Sequence, residues 1–315
     1  MAIHFTGGDR DPQTTPTIDG KYLYTLSVDG KVFCFKAKNG KVRWETNMVE
    51  EHGVQTPFYG FAGSPIVDGE ILLMTANSSG IALNKKTGKK LWISSFPEEM
   101  DLKDEWTGVD YTTPVLYERE GGRYAAFFSE RGLQSVEVET GNHHWLYELE
   151  VDGSAIAADP LIFDNAIFLT RGYLVSESIL LNVSGDKPKV VWSAQDVGSA
   201  ISSPIMLDGH IYLSDGDYDN YNYLRCMDSR TGQTMWEEKM RMASLTASDG
   251  KLLVLGEKGT LSVIKASLTS YEEISSCTIP DQKRADHWWT PPVLFGGRIY
   301  CRSYLGDLVC IDVSE

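Results

Sequence analysis

Aromatic rings and hydrogen-bonding groups occur together in three short segments of this 315-residue chain, each just before a Ser-Pro or Thr-Pro step. The rings and polar groups in these segments include Tyr59, Phe61, Trp106, Asp110, Tyr111, His287, Trp288 and Trp289. Aromatic faces stack on sugar rings and on apolar side chains, while a few polar groups between them fix the orientation of a ligand. The segments therefore predict a binding site for a protein or a carbohydrate, with core packing of the same rings as the alternative.

Two carboxylates within these segments could do acid–base chemistry. Asp110 and Asp286 would suit a saccharide-active enzyme, a hydrolase or a lyase, if they flanked a cleft at a separation of about 5 Å or about 7–9 Å. The sequence holds none of the G-x-S-x-G, H-E-x-x-H, P-loop or G-x-G-x-x-G patterns that mark common hydrolases, zinc peptidases, NTPases and dinucleotide enzymes. We therefore expect a non-catalytic binding or scaffold protein, keep the saccharide enzyme as the alternative, and assign no catalytic residue.

Three further groups contain side chains that could bind ions. Arg171, with Tyr173 in the segment LTRGYLVSES, is a candidate for binding an anion. The alternating carboxylates of SDGDYDNYNY, which begin at Asp215, resemble the start of a calcium loop, but the Gly and Glu that such a loop needs at positions six and twelve are missing. His143 and His144 are adjacent, so they cannot easily ligate one metal, and we expect them to be exposed turn residues. No metal site is predicted.

Charge and hydropathy limit the classes of partner. The chain has 29 Lys and Arg against 44 Asp and Glu, a net charge of −15, which repels nucleic acids and anionic lipid surfaces. No apolar run approaches the length of a membrane-spanning helix, and the first residues lack the basic and apolar regions of a signal peptide. We expect a monomer with no nucleic-acid partner and no membrane span, and the sequence itself assigns no compartment.

The five cysteines form no recognisable chemical motif. Their odd number and the lack of a C-x-x-C pair argue against a disulfide framework, a zinc ribbon and a c-type haem site. Cys34, Cys226 and Cys310 lie in the matching phrases VFCFKA, LRCMDS and LVCIDV. Because the same residue recurs at one strand position, we expect small buried core side chains there.

The elements that must position all these residues come from an internal repeat. Seven copies combine a short apolar strand, an Asp-Gly type turn and alternating strands, and they start near residues 15, 63, 112, 158, 202, 243 and 290. Alternation with period two and Asn-Gly or Asp-Gly steps are typical of β-hairpins. Four short strands per copy predict an all-β fold, a seven-bladed β-propeller that forms a single domain over residues 1–315, with an incomplete eight-bladed ring as the alternative.

A phrase with a Gly four residues before a Trp closes most copies, as in KNGKVRW at 38–44 and KTGKKLW at 86–92. The Gly supplies a positive φ for the turn into the outer strand. We expect the Trp to pack flat against the next blade, so that the phrase is architectural rather than catalytic. The residues assigned to blade docking are Trp44, Trp92, Trp145, Trp192 and Trp236.

The seventh copy ends at VCIDVSE, after its third strand and before any Gly-to-Trp phrase. An unpaired sheet edge is an aggregation hazard, and folded proteins rarely leave one open. The short β-prone segment AIHFT, at residues 2–6, is therefore predicted to supply the fourth strand of the last blade.

The phrases FKAKNGKVRW, LNKKTGKKLW and CMDSRTGQTMW resemble the blade motif of the pyrroloquinoline-quinone-like (PQQ-like) repeat propellers. The resemblance covers nearly the whole chain, and the chain looks most like bacterial PQQ-binding-like β-propeller repeat proteins. It is more distantly similar to the propeller lipoprotein of the outer-membrane assembly machinery. The resemblance implies a propeller fold, and members of this set are usually exported and often have eight blades.

The same resemblance bears on cofactors. Quinoprotein dehydrogenases that are similar in fold use a vicinal Cys pair over the cofactor, a Trp beneath it and a calcium site. This chain has no vicinal Cys pair. We therefore expect no cofactor, and quinone-dependent dehydrogenase activity is disfavoured.

Overall fold

The described part of the chain is built of β-strands. The computed structural model describes residues 13–77, 79–95, 110–149, 155–216, 221–279, 287–304 and 306–314, and the 27 regular elements in these ranges are all strands. They form seven antiparallel sheets, one for each sequence repeat, and the strands of every sheet lie in sequence order. This confirms the predicted fold class, an all-β, seven-bladed β-propeller. Within the same ranges, no helix is long and apolar enough to cross a membrane.

The chain divides into two compact units. The first comprises Met1–Ile162 and Val183–Lys189, and the second comprises Phe163–Asn182 and Val190–Glu315. The first unit contains the first three sheets. Their strands are β1 (Thr17–Asp19), β2 (Tyr22–Leu26), β3 (Lys31–Lys36) and β4 (Val42–Asn47); β5 (Ile66–Asp68), β6 (Ile71–Ala76), β7 (Ser79–Asn84) and β8 (Lys90–Ile93); β9 (Val115–Arg119), β10 (Gly122–Ser129), β11 (Gly132–Glu137) and β12 (His143–Glu148).

The division falls inside the fourth repeat, and the second unit contains the last three sheets. The fourth sheet consists of β13 (Leu161–Phe163), β14 (Ala166–Arg171), β15 (Glu177–Asn182) and β16 (Lys189–Gln195). The last three consist of β17 (Ile205–Leu207), β18 (His210–Ser214), β19 (Tyr221–Asp228) and β20 (Thr234–Arg241); β21 (Ala243–Ser248), β22 (Lys251–Gly256), β23 (Thr260–Lys265) and β24 (Glu272–Thr278); β25 (Val293–Phe295), β26 (Arg298–Arg302) and β27 (Leu308–Asp312).

The antiparallel order gives each sheet two different ends. The turns between its first and second strands and between its third and fourth strands lie at one end, which we call the turn end. The turn between its second and third strands, and the segment that leads to the next repeat, lie at the opposite end, which we call the connector end. The Gly-to-Trp phrases therefore lie at the turn end, and the aromatic segments lie at the connector end.

Four Trp side chains hydrogen-bond to the repeat that follows their own. The indole Nε1 donates to a backbone carbonyl at 2.8–3.0 Å, from Trp44 to Lys85, from Trp92 to Val138, from Trp192 to Ser229 and from Trp236 to Ser267. Each accepting carbonyl belongs to the segment just after the third strand of its repeat. The bonds therefore recur at the same position in each of these repeats.

The Gly of the phrase is needed for a contact as well as for its backbone conformation. Gly141 has a φ of +73°, and a Cβ at this position would lie 2.5 Å from the ring of Trp92. Gly88 stands in the same relation to Trp44, at 2.6 Å. Each indole thus lies against the Gly of the next repeat, where no side chain could fit.

Trp145 departs from this pattern. Its ring is buried, but its Nε1 has no hydrogen-bond partner within the described residues. The fourth repeat, which follows Trp145, is the one that lengthens the phrase, to NVSGDKPKVVW. The indole that lacks a hydrogen bond is thus the one that precedes the repeat with the lengthened phrase.

Apolar side chains fill the space between successive sheets of each unit. In the first unit, one cluster joins the first and second sheets and another joins the second and third. In the second unit, one cluster joins the fifth and sixth sheets and another joins the sixth and seventh. The core is therefore a series of layers between sheets, and it holds the loops at both ends in place.

The seventh sheet has three strands in the described part of the chain. Residues 2–6, predicted to supply a fourth strand, lie outside the described residues. Cys34 and Cys226 are buried as expected, whereas Cys310 is exposed, so the expectation is wrong for Cys310. The reason is its position, because Cys34 and Cys226 each lie opposite a Trp on a fourth strand and Cys310 lies on the outermost described strand of its sheet.

Candidate functional site

An aromatic group projects from the connector end of the first unit. Phe58 and Tyr59, in the segment between β4 and β5, are 66% and 51% exposed, and their ring centroids lie 4.8 Å apart at 89°. Tyr111, just before β9, is buried, and its ring lies 6.0 Å from that of Tyr59. We call these three residues the aromatic step.

Close backbone contacts hold the aromatic step in one conformation. The backbone N–H of Tyr59 donates to the hydroxyl of Tyr111 at 3.2 Å, and the N–H of Phe61 donates to the carbonyl of Val28 at 3.1 Å. Gly60 has a φ of +81°, and a Cβ there would lie 2.6 Å from the same carbonyl. Only Gly fits at such a contact, so the loop is tightly packed against the first sheet.

Phe61 differs from Tyr59 in its location. Phe61 is buried in the cluster between the first and second sheets, so its location corresponds to the packing alternative. Trp106 lies outside the described residues. Of the candidates in the first unit, the structure brings together Tyr59 and Tyr111 and separates Phe61 from them by turning it into the core.

Asp110 has a backbone-binding role. Its carboxylate is buried and accepts a hydrogen bond from the N–H of Glu130 at 2.7 Å, at the turn between β10 and β11. Asp110 also forms a parallel bridge with Ile156, and the N–H of Tyr111 donates to the Ile156 carbonyl at 2.8 Å. Asp286 lies outside the described residues.

A second aromatic group lies at the connector end of the second unit. His287 stacks on Trp289 with ring centroids 4.7 Å apart, and Trp289 meets Tyr304 at 5.3 Å and 60°. Tyr304 is exposed, and its N–H donates to the carbonyl of His287 at 2.9 Å. We call His287, Trp289 and Tyr304 the Trp289 stack. Trp288 points the other way, into the core between the sixth and seventh sheets.

A fully buried carboxylate lies beneath the Trp289 stack. Glu257 accepts a hydrogen bond from Nη1 of Arg241 at 2.9 Å, and its other oxygen lies 4.0 Å from Nδ1 of His287. The Glu257 carbonyl also accepts the N–H of Trp288 at 2.8 Å. A buried carboxylate is stable only when paired and hydrogen-bonded, so Glu257 fixes the guanidinium of Arg241 and the start of the stack together.

The two remaining charged candidates are held in ion pairs. Arg171 is buried and binds the carboxylate of Glu177 at 3.0 Å. Asp215 binds Nε of Arg225 at 2.8 Å and accepts the N–H of Gly198 at 3.0 Å. The other carboxylates of that segment, Asp217 and Asp219, lie outside the described residues. Within the ranges that the structure describes, no group of three His, Cys, Asp or Glu side chains could hold a metal ion.

The expectation for the adjacent histidines is wrong for His144. His143 is exposed, but His144 is half-buried in β12, with its ring 4.3 Å from that of Tyr124 and Nε2 3.3 Å from Nη1 of Arg119. Burial, with the charge of Arg119 as a smaller cause, lowers the pKa of His144. Both histidines lie in the outer strand, which begins at His143, so the turn ends two residues earlier than expected.

Sequence reasoning missed the ion pairs that support the connector ends. Glu257 and Arg241 are separated by two complete strands, β21 and β22, and by their turns, so no local pattern joins them. One signal was present in three successive repeats, since Arg171 ends the second strand of its sheet, and Asp215 and Glu257 come directly after the second strand of theirs. When charged residues recur at the same position of several repeats, at the end of a strand, they indicate ion pairs inside the fold.

Comparison with known proteins gives one family and a common fold. The family model described as outer membrane protein assembly factor BamB matches residues 6–238 and 180–315. The outer membrane protein assembly factor BamB of Yersinia pestis is 21% identical over 286 residues, which cover 78% of this chain and 69% of that protein.

Two solved structures are similar in fold. BamB from Moraxella catarrhalis has a TM-score of 0.71 and 14% identity, and the match covers 96% of this chain and 83% of that chain. The quinohemoprotein alcohol dehydrogenase from Comamonas testosteroni has a TM-score of 0.70 and 12% identity, with 93% and 62% covered. At these identities the likeness concerns the fold alone, and a propeller of this type serves both an assembly factor and an oxidoreductase.

Proposed function

Because this chain belongs to the family of the outer membrane protein assembly factor BamB, we propose that it is a non-catalytic propeller that binds a protein partner. Its relatives are named for the assembly of outer membrane proteins, and we carry over from that name only the class of partner. The binding surface that we propose is the aromatic step at the connector end of the first unit.

The exposure of two adjacent aromatic rings supports this proposal. Phe58 and Tyr59 are 66% and 51% exposed, and adjacent exposed aromatic rings are typical of a surface that a partner covers. Aromatic residues are enriched at the centres of protein–protein interfaces, because each buries a large area at a small cost in side-chain entropy. The step thus has the composition of an interface centre.

The fixed conformation of the step supports the proposal further. A loop that is ordered before binding loses less conformational entropy when it binds, so more of the contact energy appears as affinity. Gly60, the hydroxyl of Tyr111 and the carbonyl of Val28 impose that order. The loop is therefore suited to recognition rather than to closing over a substrate.

Asp110 supports the non-catalytic part of the proposal. Its carboxylate holds the start of the turn at Glu130 and is buried, so it serves the backbone rather than a reacting group. No observation within the described residues favours the saccharide alternative.

The proposal is tested by photo-crosslinking from the step in the cells from which the gene comes. A photoreactive phenylalanine replaces Tyr59 in one variant and Val42, on the outer strand β4, in another; both positions are 51% exposed. We expect one protein to be crosslinked from position 59 and not from position 42. That protein, once purified, should bind the chain in isothermal titration calorimetry, with at least tenfold lower affinity for the Phe58→Ala, Tyr59→Ala double variant.

Two results would contradict the proposal. The first is equal crosslinking from the two matched positions, which would mean that the step has no preferred partner. The second is unchanged affinity of the double variant for the crosslinked protein, which would place the interface elsewhere.

A further inference from the structure

The turn ends of the first unit differ in charge from repeat to repeat. The turn segments of the first two sheets are residues 19–22, 36–43, 68–71 and 84–91. Together they contain nine Lys and Arg against three Asp and Glu. The corresponding segments of the third sheet, residues 119–122 and 137–144, contain one Arg against three Glu. We call the nine cationic side chains of the first two sheets the basic surface.

Two hydrogen bonds hold the basic turns of the first and second sheets together. Nε of Arg43 donates to the backbone carbonyl of Lys86 at 3.3 Å. Nε1 of Trp44 donates to the carbonyl of Lys85 at 3.0 Å. The guanidinium of Arg43 also lies over the ring of Tyr22, 5.0 Å from its centroid, and its Nη1 donates to the Tyr22 hydroxyl at 2.9 Å. The charges of the two repeats therefore adjoin in one surface.

Most of the basic surface has no counter-charge from the fold. The two side chains in ion pairs are Lys85, with Asp19, and Lys86, with Glu70, each at 2.6 Å. The third carboxylate of these turns binds Arg123 of the third sheet at 2.7 Å. The other seven Lys and Arg side chains are exposed, and none of them forms an ion pair within the described residues. Seven charges of one sign thus face the solvent.

The fold does not require a Lys at the position that follows the Gly of the phrase. Lys41 and Lys89 occupy this position in the first two repeats. Asn142 and Gln233 occupy it in the third and fifth. The backbone N–H of Lys89 donates to a Thr hydroxyl two residues earlier at 3.4 Å, and those of Asn142 and Gln233 do the same at 3.1 and 3.3 Å. Because an uncharged residue forms the same turn, the turn needs no charge here.

The rest of the chain has the opposite charge. The total of −15 includes the excess of six positive charges in the four turn segments, which leaves −21 for all other residues. An extended anion, such as a lipid surface or a nucleic acid duplex, would therefore meet the acidic remainder as well as the basic surface. A short acidic peptide contacts the basic surface alone, because salt screens charges that lie more than about 8 Å away. Charge complementarity thus favours a peptide.

We propose that the basic surface binds an acidic segment, rich in Asp and Glu, of a partner protein. The carboxylates of this segment supply the counter-charges that the fold does not, and Nη2 of Arg43, whose other nitrogens the fold already holds, donates to one of them. The basic surface lies at the turn end of the first unit and the aromatic step at its connector end. The inference therefore does not rest on the aromatic step, and either proposal can fail alone.

Fluorescence anisotropy with a short, fluorescein-labelled oligoglutamate peptide tests the binding. We expect the full chain to bind this peptide at about 50 mM salt, with an affinity that falls by about tenfold or more at about 300 mM, because salt screens exposed charges. An uncharged Gly-Ser peptide of the same length should not bind. A chain that does not bind oligoglutamate, or that binds both peptides equally, would overturn the proposal.

Two matched double variants locate the binding. Lys41→Glu, Lys89→Glu should weaken oligoglutamate binding by about tenfold or more, because two attractive charges become repulsive. Lys251→Glu, Lys265→Glu should change it by less than about twofold. Lys251 and Lys265 are also exposed and lie at a turn end, that of the sixth sheet, so the two double variants differ only in the place of the same change in net charge. Equal losses would mean that net charge alone attracts the peptide, which contradicts the proposal.

Urea denaturation of a neutral variant separates binding from a structural role. Lys41→Gln, Lys89→Gln should keep the denaturation midpoint of the wild-type chain, because Asn142 and Gln233 form the same turn in other repeats. A lower midpoint would mean that the two lysines serve the fold, and the argument for a partner at this surface would then fail.

Competition identifies the class of anion and the end of the unit that binds it. Neither vesicles of equal parts phosphatidylcholine and phosphatidylglycerol nor a short DNA duplex should displace oligoglutamate when each is added at the same concentration of negative charge. Displacement by either would mean that the surface binds a lipid headgroup or a nucleic acid instead of an acidic protein segment. Phe58→Ala, Tyr59→Ala should bind oligoglutamate as the wild-type chain does, and a loss of binding in this variant would place the peptide at the connector end and overturn the proposal.

Discussion

The two ends of the sheets differ in how strictly the sequence repeats. At the turn end, four repeats place an indole on the Gly of the next repeat or donate to its backbone carbonyl with nearly the same geometry. At the connector end, one repeat presents Phe58 and Tyr59, another pairs Arg171 with Glu177, and a third buries Glu257 beneath the Trp289 stack. The turn end, where each of these repeats binds the next one in the same way, keeps one sequence pattern, whereas the residues at the connector end differ from repeat to repeat.

Trp145 shows what happens when the repeated end changes. The repeat that follows it lengthens the phrase, and the indole keeps its burial but has no hydrogen-bond partner among the described residues. The burial of this indole thus persists when the following turn is longer, whereas its hydrogen bond is lost. In this fold, the shared shape of the blades rests first on apolar contact and second on the indole bond.

The largest effect on stability is expected for Trp92, at the turn end. Replacement by Ala removes a buried ring that packs between the second and third sheets and donates to Val138, so Trp92→Ala should lower the free energy of unfolding by about 3–5 kcal/mol. The adjacent Leu91 is exposed, and Leu91→Ala should change it by less than about 0.5 kcal/mol. Urea denaturation measures the free energy of unfolding of both variants. Similar losses in the two would mean that the indole of Trp92 does not stabilise the packing of the second and third sheets.

Gly has two roles in the repeated phrase, to adopt a positive φ and to leave room for an indole, and a smaller effect on the free energy of unfolding distinguishes them. Gly40 and Gly141 have similar positive φ angles, +67° and +73°, but only Gly141 lies under an indole. Gly40→Ala should cost about 1 kcal/mol, the strain of a left-handed conformation. Gly141→Ala should cost about 1–3 kcal/mol more, because its Cβ would overlap Trp92. Equal costs by urea denaturation would mean that the backbone angle alone requires Gly.

The sequence predicts the turn end of the sheets better than the connector end. The repeated phrase was enough to predict the blades, since one pattern occurs in several copies and each copy supports the others. Tyr59 could be placed at the connector end from its position before a Ser-Pro step. Phe61 and Trp288 could not be told from their exposed neighbours, because which ring turns inward depends on packing against other repeats.

The smallest effect on stability is expected at the aromatic step. Phe58 and Tyr59 are exposed, and the bond from Tyr59 to the Tyr111 hydroxyl uses a backbone N–H that Ala keeps. Phe58→Ala, Tyr59→Ala should therefore change the free energy of unfolding by less than about 0.5 kcal/mol. Tyr111→Phe, which alters no exposed ring, should cost about 1 kcal/mol by removing the acceptor of that bond. Urea denaturation of both variants decides between two uses of the step. If the double variant proved the less stable of the two, Phe58 and Tyr59 would be part of the scaffold, and the connector end would be architectural in the same sense as the turn end.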